Sequence, residues 1–144
     1  MLDGSSNSYD WLGNGIYFWE DSYQRARDWA EKRYHEKGAV IGAIIDLGYC
    51  LNLTDYNSTD ILQKGYLMLK TKVDILGKKM PQNRMGKSKT DVLLRDLDCA
   101  VIQQLHEYNR ETGSLEYDSV RGAFTEGGEI YPGSAFVEKT HIQL

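Results

Sequence analysis

The apolar positions of this chain change their spacing several times, and each change marks a predicted element. Residues 1–9 are polar, rich in Ser and Asn, and predict a loop or ragged end. Residues 15–19, Gly-Ile-Tyr-Phe-Trp, form a short aromatic and branched run that predicts a strand. Asp21 with Gln24 three residues on has the form of a capping box. Tyr23, Ala26, Ala30 and Tyr34 then recur at helical spacing, up to a stop at Gly38. Residues 39–45 (AVIGAII) are continuously apolar, which predicts a strand covered on both faces. Leu51 and Leu53 alternate with polar neighbours and predict a second short strand. Ser58 or Thr59 caps a predicted helix through Leu69, weakened by Gly65. Residues 91–107 carry the clearest helical pattern, with Leu94, Leu97, Val101 and Leu105 on one face and Gly113 closing the region. Residues 120–125 read as a strand, 126–129 and 131–134 as turns, and 135–144 as a last strand. In that strand His141 and Gln143 share one face and Thr140, Ile142 and Leu144 the other. The order β-α-β-β-α-loop-α-β-β predicts a single α+β domain over residues 1–144.

Composition agrees with an ordinary globular domain: 144 residues, 41% hydrophobic and 26% charged. Ten tyrosines and three tryptophans are a generous supply for a core or for a pocket that takes a flat ligand. The net charge of −4 argues against a generic nucleic-acid binder. Charge is uneven, however. Between Gly77 and Thr90 lie Lys78, Lys79, Arg84, Lys87 and Lys89 with no acid, beside Pro81 and two glycines. This stretch predicts an exposed, poorly ordered basic loop, either simply solvated or in contact with a phosphate-bearing partner. Cys50 and Cys99 lack metal-ligand spacing and sit among apolar neighbours, as free thiols in a reducing compartment do. His35, His106 and His141 form no ligand pair. With no signal peptide and no long apolar run, the expectation is a cytoplasmic protein without a membrane span.

The chemistry centres on residues 10–19 (DWLGNGIYFW). Gly13 and Gly15 permit a tight turn and close approach of a ligand to backbone, and an aromatic strand and a helix follow at once. The same pattern also suits a plain glycine turn before a core strand. This segment resembles the second signature of ADP-ribosyltransferases of the diphtheria-toxin and poly(ADP-ribose) polymerase type, a Gly-x-Gly-Ile-Tyr-Phe strand leading into a helix. Fragments along nearly the whole chain, among them AVIGAIIDLGYCLNLTD, DSVRGAFTEG and YPGSAFVEKTHIQ, look like bacterial proteins related to that fold.

The resemblance implies a split β-sheet core with flanking helices and NAD as substrate. It implies that Gly13, Gly15 and Tyr17 bind the cofactor, with Tyr17 stacking on nicotinamide and Trp29 closing the other side of the ring. It further implies transfer of ADP-ribose to a protein or nucleic-acid acceptor. Two departures stand out. The family histidine belongs on a first strand ahead of the motif, and no histidine precedes Tyr17, so that strand is expected to be missing. The position of the family's late glutamate falls on Gln143, which keeps hydrogen-bonding capacity without charge. Glu126 and Glu129 are the remaining acids, in a loop that faces the acceptor in the family; a solvated turn is their ordinary reading. Arg121 suits a pyrophosphate oxygen or a surface acid equally. The catalytic candidates are therefore Tyr17, Glu126 and Gln143. The alternative expectation is a degenerate, non-catalytic relative that acts as a binding module.

Overall fold

The computed structural model describes residues 2–86 and 93–144. The elements in chain order are β1 (Trp19–Glu20), α1 (Tyr23–Tyr34), β2 (Cys50–Asn52), α2 (Ser58–Ile75), α3 (Asp96–Thr112), β3 (Ser119–Glu129) and β4 (Val137–Gln143). The strands form one mixed sheet in the order β1-β4-β3-β2. β4 pairs antiparallel with both β1 and β3, whereas β2 runs parallel to β3. A parallel neighbour needs a long crossover, and α2 and α3 supply it. The fold is thus mixed α+β.

One sheet face packs on the helices. Leu51, Val120 and Phe124 point there, against Ile102 and Leu105 of α3 and Leu12 of the N-terminal turn. Leu69, Val73 and Val101 form a second cluster between α2 and α3. Gly65 belongs to that contact. A Cβ at this position would lie 2.8 Å from Leu105 Cγ, so its lack of a side chain lets the two helices approach. It brings α2 close to α3, and α2 runs on past Leu69 to Ile75.

Several boundaries differ from the sequence expectation. Residues 39–45 form no strand, and Ile41 and Ile44 are exposed. Their apolar character suits burial, but no described element pairs with them or covers both faces. Asp21 does not cap α1. It takes a left-handed φ of 47° and Ser22 precedes the helix without a side-chain cap bond. His35, at φ 53°, ends α1, ahead of a 3₁₀ turn that reaches Lys37. α3 begins at Asp96. Leu94 lies before it, bridged to Arg84, and the predicted start at residues 91 and 92 lies outside the described residues. Asn83 Oδ1 accepts from Leu97 N at 3.0 Å and Asp98 N at 3.3 Å, so a distant residue satisfies the first turn. The turn expected at 126–129 is instead the end of β3, with a register irregularity between Glu126 and Glu129.

The basic stretch divides. Lys87 and Lys89, with the rest of residues 87–90, lie outside the described residues. Lys78 and Lys79 are exposed. Arg84, by contrast, is pinned: its Nε and one terminal nitrogen donate to Asp96 at 2.9 and 2.8 Å. Met80 packs on the second core cluster. The described part of this stretch is therefore anchored to the start of α3 rather than loose.

Candidate functional site

Tyr17 locks the turn that precedes its strand. Its hydroxyl accepts from Leu12 N at 2.8 Å and donates to Gly13 O at 2.6 Å. The ring packs partly buried on the main core. Burial raises the phenol pKa, and the Asp10 charge adds to the rise. The hydroxyl is thus a neutral structural group. Gly13 has φ 87°, and a Cβ there would lie 2.8 Å from Gln103 Nε2 and 3.2 Å from Ile102 Cγ2. The first motif glycine therefore seats the turn on α3. Gly15 is exposed, bridged to Ser5, with open space where a side chain would go.

A cavity of about 1050 Å³ opens beside this motif. Tyr17, Trp19, Tyr23, Trp29 and Tyr34 line it, together with residues 39–43, Ile45, Arg121 and Leu144. Trp29 sits between two other rings: its centroid is 5.8 Å from Trp19 and 5.8 Å from Tyr34, both at steep angles. Tyr17 and Trp29, from the motif strand and the following helix, are thus on the wall of one cavity. Gly13 and Gly15 are not among its lining residues. Arg121 is committed to protein partners. It binds Glu20 through two bonds of 2.6 Å and also reaches Asn52 Oδ1 at 3.1 Å and Thr54 Oγ1 at 2.6 Å. Its guanidinium holds the Glu20 carboxyl below the usual carboxylate range. Of the two readings of Arg121, the acid pair is the one observed.

Glu126 and Gln143 meet elsewhere, around a buried histidine. β4 places His141 opposite Phe124, so His141, Gln143 and Glu126 share the helix-facing side of the sheet. Gln143 Nε2 is 3.1 Å from His141 Nε2, and His141 Nε2 is 3.9 Å from Glu126 Oε1. Arg25 of α1 donates to Glu126 Oε1 at 2.8 Å. The His141 side chain is fully covered, with the Trp11 ring stacked 6.1 Å away. Burial lowers the imidazole pKa, and the Arg25 charge lowers it further. A neutral ring that accepts from the Gln143 amide carries its proton on Nδ1, and Nδ1 has no hydrogen-bond partner among the described residues. Arg25 Nε and Trp19 Nε1 are buried without partners in the same way.

Neither Glu126 nor Gln143 lines the large cavity. Glu129, the other acid considered, closes the β3–β4 hairpin: its carboxylate accepts from Gly133 N and, at 3.1 Å, from Ser134 N. Arg25 and His141 are the members of this cluster that sequence reading did not select. The alternation that pairs His141 with Gln143 was visible, whereas closeness to Glu126 depends on the β3–β4 register and closeness to Arg25 on how α1 docks.

A smaller cavity of about 630 Å³ lies between α2, α3 and β3. Its wall is mainly apolar, and the Arg95 guanidinium lies 4.5 Å from the Trp11 centroid and 5.1 Å from that of Phe124. Among the described residues no group of His, Cys, Asp and Glu could hold a metal ion. Nor is any described helix long and apolar enough to cross a membrane. Cys99 is buried and Cys50 half-buried, both as free thiols. No family model matches the chain, and no curated protein or solved structure is significantly similar to it.

Proposed function

We propose that this chain is an ADP-ribosyltransferase-like protein that binds NAD in the larger cavity and transfers ADP-ribose to a protein or nucleic-acid acceptor. The observation that carries the reading is the presence of Tyr17 and Trp29 on one cavity wall of about 1050 Å³. The aromatic rings of Trp19, Tyr23, Trp29 and Tyr34 beside Tyr17 suit a flat heterocycle. Nicotinamide is a fair leaving group, so such a site has mainly to constrain it and to stabilise positive charge on the ribose. Trp29, 44% exposed, offers a ring surface for stacking, while the Tyr17 hydroxyl holds the turn. Exposed Lys78 and Lys79 suit a phosphate-bearing acceptor.

One observation favours a second reading, a non-catalytic NAD-binding or interaction module. Glu126 is paired with Arg25, Gln143 is paired with His141, and both stand off the cavity wall. A missing charge contact in an active site costs about 2.7–4 kcal/mol, or roughly 10²–10³ in rate. Turnover is therefore expected to be low. The deciding experiment follows nicotinamide release and label transfer from NAD labelled in the adenosine. Slow release that Trp29→Ala reduces at subsaturating NAD supports the transferase. Saturable binding without release supports the module. No binding at millimolar NAD defeats the transferase and the NAD-binding module, and leaves only an interaction module that does not use NAD.

A further inference from the structure

α1 has little of its own to keep it in place. Of its 12 residues only Ala30 is buried. Part of that cover is local, because Gly38 lies so close that a Cβ on it would sit 2.7 Å from Ala30 O. Ser22 precedes the helix without a side-chain cap bond, and no acid stands in its first turn. A helix of this length is marginal in water unless a packed face supports it. α1 nevertheless carries Tyr23, Trp29 and Tyr34 of the larger cavity's wall. Contacts outside the helix must therefore hold that wall on the sheet.

Trp29 and Arg25 supply them. The Trp29 ring rests on Trp19 of β1, yet Trp29 stays 44% exposed. Arg25, four residues before Trp29 and on the same side of the helix, donates to Glu126 Oε1 of β3 at 2.8 Å. The Arg25 side chain is 13% exposed and that of Glu126 20%, so solvent screens the pair weakly. Arg25 Nε is buried without a partner, and Asp28 stands 4.0 Å from the other terminal nitrogen, beyond hydrogen-bond length. Without the Glu126 carboxylate, a largely buried guanidinium loses its counter-charge, which is strongly destabilising. Two reliefs are open: the whole domain unfolds, or α1 lifts. Lifting α1 returns the cation to water and uncovers one buried alanine, so it is the easier of the two.

We infer that the Arg25–Glu126 bond is the clasp that holds α1, and with it the aromatic wall of the larger cavity, against the sheet. Glu126 is then a positioning residue of that cavity, although it does not line it. It acts through Arg25, and α1 carries the effect along to Trp29. The clasp does not depend on whether the cavity binds NAD.

Segment-resolved hydrogen exchange of the full chain tests the clasp in the parent, in Glu126→Ala, and in Glu126→Ala combined with Arg25→Met. It is run at about pH 7.5, where histidine is neutral, because His141 Nε2 lies 3.9 Å from the same Glu126 oxygen. Glu126→Ala is expected to quicken exchange of the α1 amides at least roughly tenfold, while those of α3 keep the parent's rates. Adding Arg25→Met removes the orphaned cation and leaves an apolar chain of similar helix propensity. It is expected to bring α1 back to within about threefold of the parent. A role for Glu126 in filling space alone would show no such rescue. Unchanged α1 exchange in Glu126→Ala, as when Asp28 takes over the guanidinium, overturns the inference. So does an α1 already unprotected in the parent, a quickening shared equally by α3, or a double variant that stays as fast as Glu126→Ala.

Discussion

Replacing Tyr17 with phenylalanine removes one oxygen and keeps the ring. In the folded chain that oxygen accepts from Leu12 N at 2.8 Å and donates to Gly13 O at 2.6 Å. Leu12 is only 5% exposed, so its N–H has no route to water once the hydroxyl is gone. A buried donor left unpaired costs about 1–3 kcal/mol, and the second lost bond adds about 1 kcal/mol. Tyr17→Phe is therefore expected to destabilise by about 2–4 kcal/mol. For a domain of this size the melting temperature falls on the order of 5–12 °C. Urea unfolding measures the change, and an unaltered denaturant slope shows that the compactness of the end states is unchanged. A loss below about 0.5 kcal/mol would refute the turn lock, because an unpaired buried donor alone costs about 1–3 kcal/mol. Tyr17→Ala is a poor probe of ligand stacking for the same reason: it removes turn lock, core ring and cavity wall together.

Three further outcomes follow from the packing. Gly65→Ala is expected to destabilise by about 1–3 kcal/mol in thermal unfolding, since its Cβ would press on Leu105; helix propensity alone predicts a gain of about 1 kcal/mol. Asn83→Ala removes the acceptor at the start of α3 and is expected to cost about 0.5–2 kcal/mol by urea titration. Burial lowers the pKa of His106 and His141 below 6.5, so the unfolded chain takes up protons first as pH falls. Stability is then lost as pH drops through 6.5, and His141→Asn is expected to flatten that slope between pH 7 and 5.5 without abolishing it, because His106 remains.

Much of the secondary structure was legible because it rests on local periodicity. The helical spacing of Tyr23, Ala26 and Ala30, the face of Leu97, Val101 and Leu105, and the alternation of His141 with Gln143 all recur in α1, α3 and β4. What local pattern does not encode is partnership. Residues 39–45 look like a covered strand from composition, yet pairing depends on what lies beside them. Gly65 looks like a helix defect until Leu105 is placed against it. The same holds for the candidate site. Tyr17 and Trp29 are near in sequence, and the strand–helix connection brings both to one cavity. Glu126 and Arg25 are 101 residues apart, and their pairing follows from sheet register and helix docking.

The most direct test of the account is calorimetric titration of the chain with NAD, beside its Trp29→Ala variant. Trp29 belongs to neither core cluster, so its loss leaves both in place. Stacking of this kind contributes about 0.5–1.5 kcal/mol beyond area burial. The account predicts saturable binding by the parent, weakened roughly threefold to tenfold in Trp29→Ala, which stays folded but loses the ring contacts to Trp19 and Tyr34. Absence of binding by the folded parent, or equal affinity in both proteins, would contradict it.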